Sequence, residues 1–246
     1  MKAVAVVLAS GSGQRFGDKA LPKHLTHVLE IPVLIWTLNT AIRSKLFSSI
    51  VVVTRKNDLV LTKKKLEEYF SADIINLRIT EGSNERMQSF LMGLEDLTKS
   101  NLVSKETIVA LLDANRPFTP MNQLKDLYEA TLEFGCSCPA RPLVSGVARM
   151  DIKRILEVPD KSTYFEFVTP EFMRLSDFNE SFEKRKEDFS SLVEYALALG
   201  LKPMTLDAST LNTKLTYPED KTYLEGVALD NQLKMPCKHS NNELIK

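Results

Sequence analysis

Five charged side chains stand in settings that could do chemistry: Arg15, Lys23, Asp113, Arg116 and Lys214. The first two belong to Leu8-Ala-Ser-Gly-Ser-Gly-Gln-Arg-Phe-Gly17 and the following Leu21-Pro-Lys-His24. Gly11, Gly13 and Gly17 let the backbone turn sharply and bring its N–H groups near a ligand. Amides in succession beside two cations form a phosphate cradle. Neither common phosphate fingerprint is met: there is no G-x-x-x-x-G-K-[ST], and Phe16 stands where G-x-G-x-x-G needs its third glycine. Asp113-Ala-Asn-Arg116 adds a carboxylate able to hold Mg²⁺, an ion that favours one or two carboxylates plus phosphate oxygens and water. Lys214, near a turn, adds another cation. Attack on an α-phosphoryl group needs such charges, from different loops, around its equatorial oxygens and the departing pyrophosphate.

Each residue also has a plainer reading. Asp113 could cap the turn that follows it, and Arg116 could serve a structural ion pair. Lys214 could be a solvated lysine, and Ser89 could only hydrogen-bond the preceding helical turn. His24, His27 and His239 form no triad with a Ser or Cys motif, so they read as solvated or structural. The case for chemistry rests on the blocks occurring together in this order.

The elements that must position these residues follow from periodicity. The apolar run Val4 to Leu8 suits a strand buried on both faces, as do 50–54 and 107–112. Residues 74–79 and 136–140 read as further strands, with a short one over 202–206. Helical spacing marks 32–41, 56–70, 84–97, 123–134 and 187–199, and another helix starts after Pro218. Trp36 reads as core filling, and Lys63 to Lys65 as a solvated helix face. Periodicity weakens from 141 to about 176, where the aromatic segment 164–170 suits an arm or a sheet extension. Strands alternating with helices imply an α/β, doubly wound, mostly parallel sheet. Ligands bind at the carboxyl ends of such strands, which puts the glycine-rich loop and Asp113 on one rim.

Composition narrows the function. A chain of 246 residues, 43% hydrophobic and 26% charged, is ordinary for a globular protein. With 32 basic and 32 acidic residues, no general attraction to nucleic acid or membrane is expected. No apolar run approaches the ~20 residues needed to span a bilayer, and the start lacks a secretory leader's pattern. Three cysteines with a C-x-C pair, Cys136 and Cys138, suit buried thiols and a reducing cytoplasm better than a disulfide framework. No repeat or linker is visible, so one domain over 1–246 is expected.

The chain resembles the cytidylyltransferases that act on methylerythritol phosphate or ribitol phosphate, within the nucleotide-diphospho-sugar transferase folds. The resemblance lies in LASGSGQRFG…LPKH at 8–24, EGSNERMQSFLMGL at 81–94, LLDANRPF at 111–118, FVTPEFM at 167–173 and NTKLTYPED at 212–220. It implies a Rossmann-like nucleotidyltransferase fold with a protruding dimerisation arm, about 141–170, exchanged in a homodimer. Ala9, Ser10, Gly11, Ser12 and Gly13 would wrap the CTP phosphates, while Arg15 and Lys23 stabilise the transition state and pyrophosphate. Gly82, Ser89 and Ala114 would border the cytosine, and Asp113 would face the metal, Mg²⁺, and the ribose. Lys214 would bind the α-phosphate or the incoming phosphate. Arg116 would reach the phosphorylated alcohol of a neighbouring subunit, with Arg149 and Thr169 also on the acceptor side.

The departures concentrate on that acceptor side. Asn115 stands where the family has a second alanine, and Glu171 where it has glutamine. Ser145 and Gly146 occupy the places of an Asp-Thr pair that contacts the polyol. The implied reaction joins CTP and a phosphorylated alcohol, methylerythritol 4-phosphate or a ribitol 5-phosphate-like one, to give a CDP-alcohol and pyrophosphate. The alternatives are another base or a sugar-phosphate acceptor, or a catalytically silent nucleotide-binding paralogue.

Overall fold

The computed structural model describes residues 3–11, 13, 15–17, 21–71, 76–178 and 189–238. Expectations for Ser12, His239, residues 74 and 75, and the first two residues of the helix placed over 187–199 lie outside them. The first half contains β1 (Ala3–Leu8), β2 (His27–Val28), β3 (Ile31–Pro32), α1 (Val33–Arg43), β4 (Phe47–Thr54) and α2 (Leu59–Tyr69). It continues through β5 (Asn76–Glu81), α3 (Arg86–Lys99), β6 (Ile108–Asp113) and α4 (Met121–Phe134). The second half has β7 (Cys136–Pro142), β8 (Arg149–Asp151), β9 (Arg154–Glu157), β10 (Phe165–Phe167) and β11 (Glu171–Arg174). It ends with α5 (Leu192–Ala198), β12 (Met204–Asp207) and α6 (Asp220–Asp230).

Strands β5, β4, β1 and β6 are parallel neighbours, as the buried apolar runs of β4, β1 and β6 foretell. Alternate side chains of each run enter opposite cores. Ala3, Ala5 and Val7 join Leu34 and Leu38 of α1, Leu66 of α2, Leu124 of α4 and Leu224 of α6. Val4 and Val6 join Phe90, Leu94 and Leu97 of α3 with Leu192 and Tyr195 of α5. Helices therefore cover both faces. Gly93 lets α3 lie close to the sheet, since a Cβ there would stand 2.7 Å from both Val6 and Val53. Trp36 fills the core as expected, edge-on to Phe118 with its indole N–H donated to the Val28 carbonyl.

Periodicity did not reveal β11. This strand pairs antiparallel with both β6 and β7, in the middle of the sheet. Its run of Glu171, Phe172 and Met173 is buried on both sides, so it has no alternation to detect. Ser137 pairs with Phe172 on one side and Met204 on the other, so β10 and β11 share one edge of β7 while β12 covers the opposite edge. The segment expected as a helix from residue 56 opens with a 3₁₀ turn at Lys56–Asp58 before α2. Residues 149–156, left without an assigned element by periodicity, form the β8–β9 hairpin, and every residue of both strands is exposed. Cys136 and Cys138 are buried thiols on β7; burial raises both, Cys138 to about 12.

Candidate functional site

Parallel pairing brings the loops out of the sheet side by side. Leu8 is opposite Asp113 in the β1–β6 ladder. Beyond the strands, the Ala9 N–H donates to the Val53 carbonyl, the Ala114 N–H to Leu8 and the Gly82 N–H to Thr54. Ala9, Gly82 and Ala114, distant in sequence, thus meet on one rim. The Ser10 hydroxyl donates to the Ser89 hydroxyl at 2.9 Å. Ser89 accepts from the Ser83 N–H at 3.0 Å and donates to its carbonyl at 2.9 Å. It ties the start of the glycine-rich loop to the β5–α3 turn and leaves its own helix unbonded by that hydroxyl. Gly82 is confined there: a Cβ would stand 2.6 Å from Val53 and 3.0 Å from the Ser89 oxygen.

Asp113, at the end of β6, is the electrostatic centre of the rim. Its Oδ2 lies 2.7 Å from the Lys214 ammonium and 3.5 Å from Arg116 Nε, and its Oδ1 lies 3.5 Å from Arg86. Burial works against the carboxylate's charge, yet Arg86, Lys214 and Arg116 outweigh it and hold the group well below the usual carboxylate range. The capping reading is therefore incomplete, since three cations converge on this side chain. Lys23 is half-buried nearby. Burial first, then Lys214 and Arg15, lower it to about 8 against the opposing pull of Asp113 and Asp220. Arg15 is exposed and lies 6.0 Å from the centre of the Tyr217 ring. Gly13 adopts φ +65°, with its Cβ direction facing Lys23. Gly11 is exposed at the mouth of the loop.

Two loops are laced together to carry Lys214. Asn115 accepts from the Leu215 N–H through its carbonyl and donates to the Leu215 carbonyl through its side chain. Arg116 donates to the Asn212 carbonyl at 2.8 Å. The buried Asn212 side chain accepts from the Thr119 hydroxyl and donates to the Thr169 carbonyl. Arg116 thus points inward, at only 8% exposure, into the structural pairing. Thr169 is buried at a cis peptide before Pro170, next to Arg116 in the lining of a small cavity beneath Asp113. Arg149 instead sits on the exposed hairpin, paired with Glu157 at 3.0 Å.

Arg86 and Glu171 were missed as site residues. The Arg86 guanidinium joins Asp113 to Glu171, which lies 3.2 Å away on β11. The other Glu171 oxygen accepts the Leu192 and Val193 N–H groups at the start of α5. Burial pushes Glu171 up, against the pull of Arg86 and those amides. The available signal was a carboxylate inside the apolar segment FVTPEFM. Without knowledge of the β6–β11 pairing, nothing linked it to Asp113.

The donor set bears on a metal. Among the described residues no cluster of three or more His, Cys, Asp or Glu exists to cage one. A single ionised carboxylate at the mouth of a phosphate cradle suits a Mg²⁺ that arrives with phosphate oxygens and water. Asp113 is such a carboxylate, and a metal there would have to take the place of Lys214 at its Oδ2.

Residues 3–228 match the model of the 2-C-methyl-D-erythritol 4-phosphate cytidylyltransferase family. Proteins of that name from Geobacillus thermodenitrificans and Geobacillus kaustophilus are 27% and 28% identical over 229 residues, covering 91% of this chain and 95% of each relative. The crystal structure of 4-diphosphocytidyl-2C-methyl-D-erythritol synthase from Anaerococcus prevotii superimposes with a TM-score of 0.73 at 23% identity, covering 93% of this chain and 98% of that one. The 2-C-methyl-D-erythritol 4-phosphate cytidylyltransferase of Francisella tularensis gives 0.72 at 20% identity, covering 91% and 98%. These likenesses show the fold.

Proposed function

We propose that this chain, which belongs to the 2-C-methyl-D-erythritol 4-phosphate cytidylyltransferase family, transfers the cytidylyl group of CTP to a phosphorylated alcohol. An oxygen of the acceptor's phosphate attacks the α-phosphorus in line. The bond from that phosphorus to the bridging oxygen breaks, and pyrophosphate leaves with the electron pair. A phosphate oxygen is already an anionic nucleophile, so no general base is required. The observation that carries the reading is the convergence of Lys23, Lys214 and Asp113 at one rim.

In this reading the amides of Ser10 to Gly13 and the cations Arg15 and Lys23 hold the triphosphate, while the Ala9 N–H stays on the Val53 carbonyl. Lys214, now on Asp113, turns to the α-phosphate. Arg86 and Arg116 keep Asp113 ionised and oriented. Mg²⁺, held by Asp113, would neutralise phosphate charge. Gly82, Ser89 and Ala114 border the cytosine, and the close packing around Gly82, where a Cβ would meet Val53 and the Ser89 oxygen, leaves little space for a purine. The acceptor is 2-C-methyl-D-erythritol 4-phosphate, or a ribitol 5-phosphate-like polyol favoured by the exposed Ser145-Gly146 in place of an Asp-Thr pair. Exposed apolar side chains on the hairpin, including Ile152 and Ile155, support a homodimer in which Arg149 and Thr169 serve the acceptor side. We read the chain as one domain working in the cytoplasm; no described helix is long and apolar enough to cross a membrane.

The test is pyrophosphate release from CTP, Mg²⁺ and a panel of polyol and sugar phosphates. Release with a polyol phosphate and CTP, and not with ATP, GTP or UTP, is the expected result. No release with any acceptor sinks the proposal, and CTP binding without turnover would mark a silent paralogue.

A further inference from the structure

His24 has no place in the reaction above, yet it is 4% exposed and follows Lys23 directly. Its Nε2 lies 2.8 Å from the hydroxyl of Thr62, a fully buried residue on α2. Its ring also hydrogen-bonds the Ala9 backbone, in the sense that favours a ring N–H, which identifies the Ala9 carbonyl as acceptor. With Nε2 engaged by Thr62, that N–H is Nδ1–H, and the Thr62 hydroxyl donates to Nε2. Both ring nitrogens are then satisfied in the neutral form. The Ala9 N–H is already fixed on Val53. Ala9 begins the glycine-rich loop and Lys23 ends it. One side chain therefore holds both ends of that loop against α2. A Cβ at Gly13 would stand 3.6 Å from Lys23 Cβ, so the middle of the loop passes close to the same point.

We infer that His24 is a positioning residue for nucleotide binding: through Ala9 and Thr62 it sets the width of the phosphate loop and the reach of Lys23. The inference rests on the proposed role of Lys23 at the CTP phosphates. An unpinned loop would have to be ordered by the nucleotide, so affinity for CTP suffers while the acceptor side is left alone. A histidine that merely filled the core would affect folding and leave the affinity of folded protein unchanged.

The experiment compares His24→Leu, His24→Gln and Thr62→Val with wild type. CTP binding is measured by calorimetry without acceptor, KM for CTP and acceptor by pyrophosphate release, and folding by circular dichroism. His24→Leu should weaken CTP binding about tenfold, and Thr62→Val, which removes one hydrogen bond, about fivefold, with the acceptor KM unmoved. His24→Gln, whose amide can donate to Ala9 and accept from Thr62, should recover binding to within about threefold of wild type. Folded variants that bind CTP as wild type does would overturn the role, as would equal losses for CTP and acceptor. If His24→Leu does not fold, the near-isosteric Thr62→Val decides the matter alone. Wild-type protein that binds no CTP would instead overturn the proposed function and this role with it.

Discussion

The rim around Asp113 and the β8–β9 hairpin are built by opposite rules. At the rim the central polar groups are committed: Asp113 to three cations, Asn212 to Thr119 and Thr169, and Ser89 to Ser10 and Ser83. On the hairpin, residues 149–158 are all exposed, and Ile152 reaches 92% exposure. Buried charges are tolerable only when paired and hydrogen-bonded, so the rim is preorganised within one chain. The hairpin leaves apolar surface in water, as a segment does when its stability comes from a partner. In the proposed reaction the contrast would match two tasks: holding a triphosphate, and meeting an acceptor across a subunit interface.

Replacing Asp113 by Asn should break the rim most severely. Arg86, Arg116 and Lys214 would face one another without their shared counter-charge, and stability should fall by about 3–5 kcal/mol in denaturant unfolding. Lys23→Ala should spare stability, and Lys214→Ala should cost less than Asp113→Asn because Arg86 and Arg116 still face the carboxylate. Both should remove about 2.7–4 kcal/mol of transition-state stabilisation, read as a kcat loss of roughly 10²–10³. Equal losses of stability in all three variants would mean the rim is structural only.

Two pH effects follow from the same enclosure. His24 is lowered to about 4, first by burial, with Asp58 opposing and Arg55 and Lys23 assisting. Its folded value lies below its unfolded value, so the unfolded chain binds the proton first. Stability is complete above about pH 6.5 and should fall by about 1.4 kcal/mol per unit as pH drops toward 4, measured as urea midpoints. His24→Gln should flatten that slope. At the other end, Lys23 at about 8 in the free protein must be charged to bind phosphate. CTP affinity should therefore decline as pH rises past 8, a trend absent in Lys23→Met.

The smallest effect belongs to the hairpin. Ile152→Ser should change unfolding stability of the monomer by less than about 0.5 kcal/mol. If the hairpin is a dimer arm, the same change should lower the mass measured by light scattering. A monomeric wild type, or an unshifted dimer in the variant, would remove the partner from the comparison.

Much of the rim was legible because its motifs are local. A glycine-rich turn after a buried strand, with Arg15 and Lys23 beside it, fits a phosphate cradle, and the case for it rests on the other blocks of the chain occurring with it. Asp113 was legible because it ends an apolar run, and β1, β4 and β6 because such runs suit strands covered on both faces. Arg86, Glu171 and His24 were not legible as a group, since their partners lie 27, 21 and 38 residues away, at Asp113, Leu192 and Thr62. Arg116 shows the same limit: its type invited a ligand, while its burial commits it to Asn212.

By itself, then, the order of residues determined the α/β alternation, the rim on which the loops emerge and the side-chain types from which the phosphate chemistry of that rim is proposed. Those properties depend on periodicity and on side-chain types within a few turns. The tertiary structure decided which charges neutralise one another, which histidine is a rivet and which apolar surface is left in water. Burial and pairing depend on distances between segments far apart in the chain, and only the packed sheet supplies them.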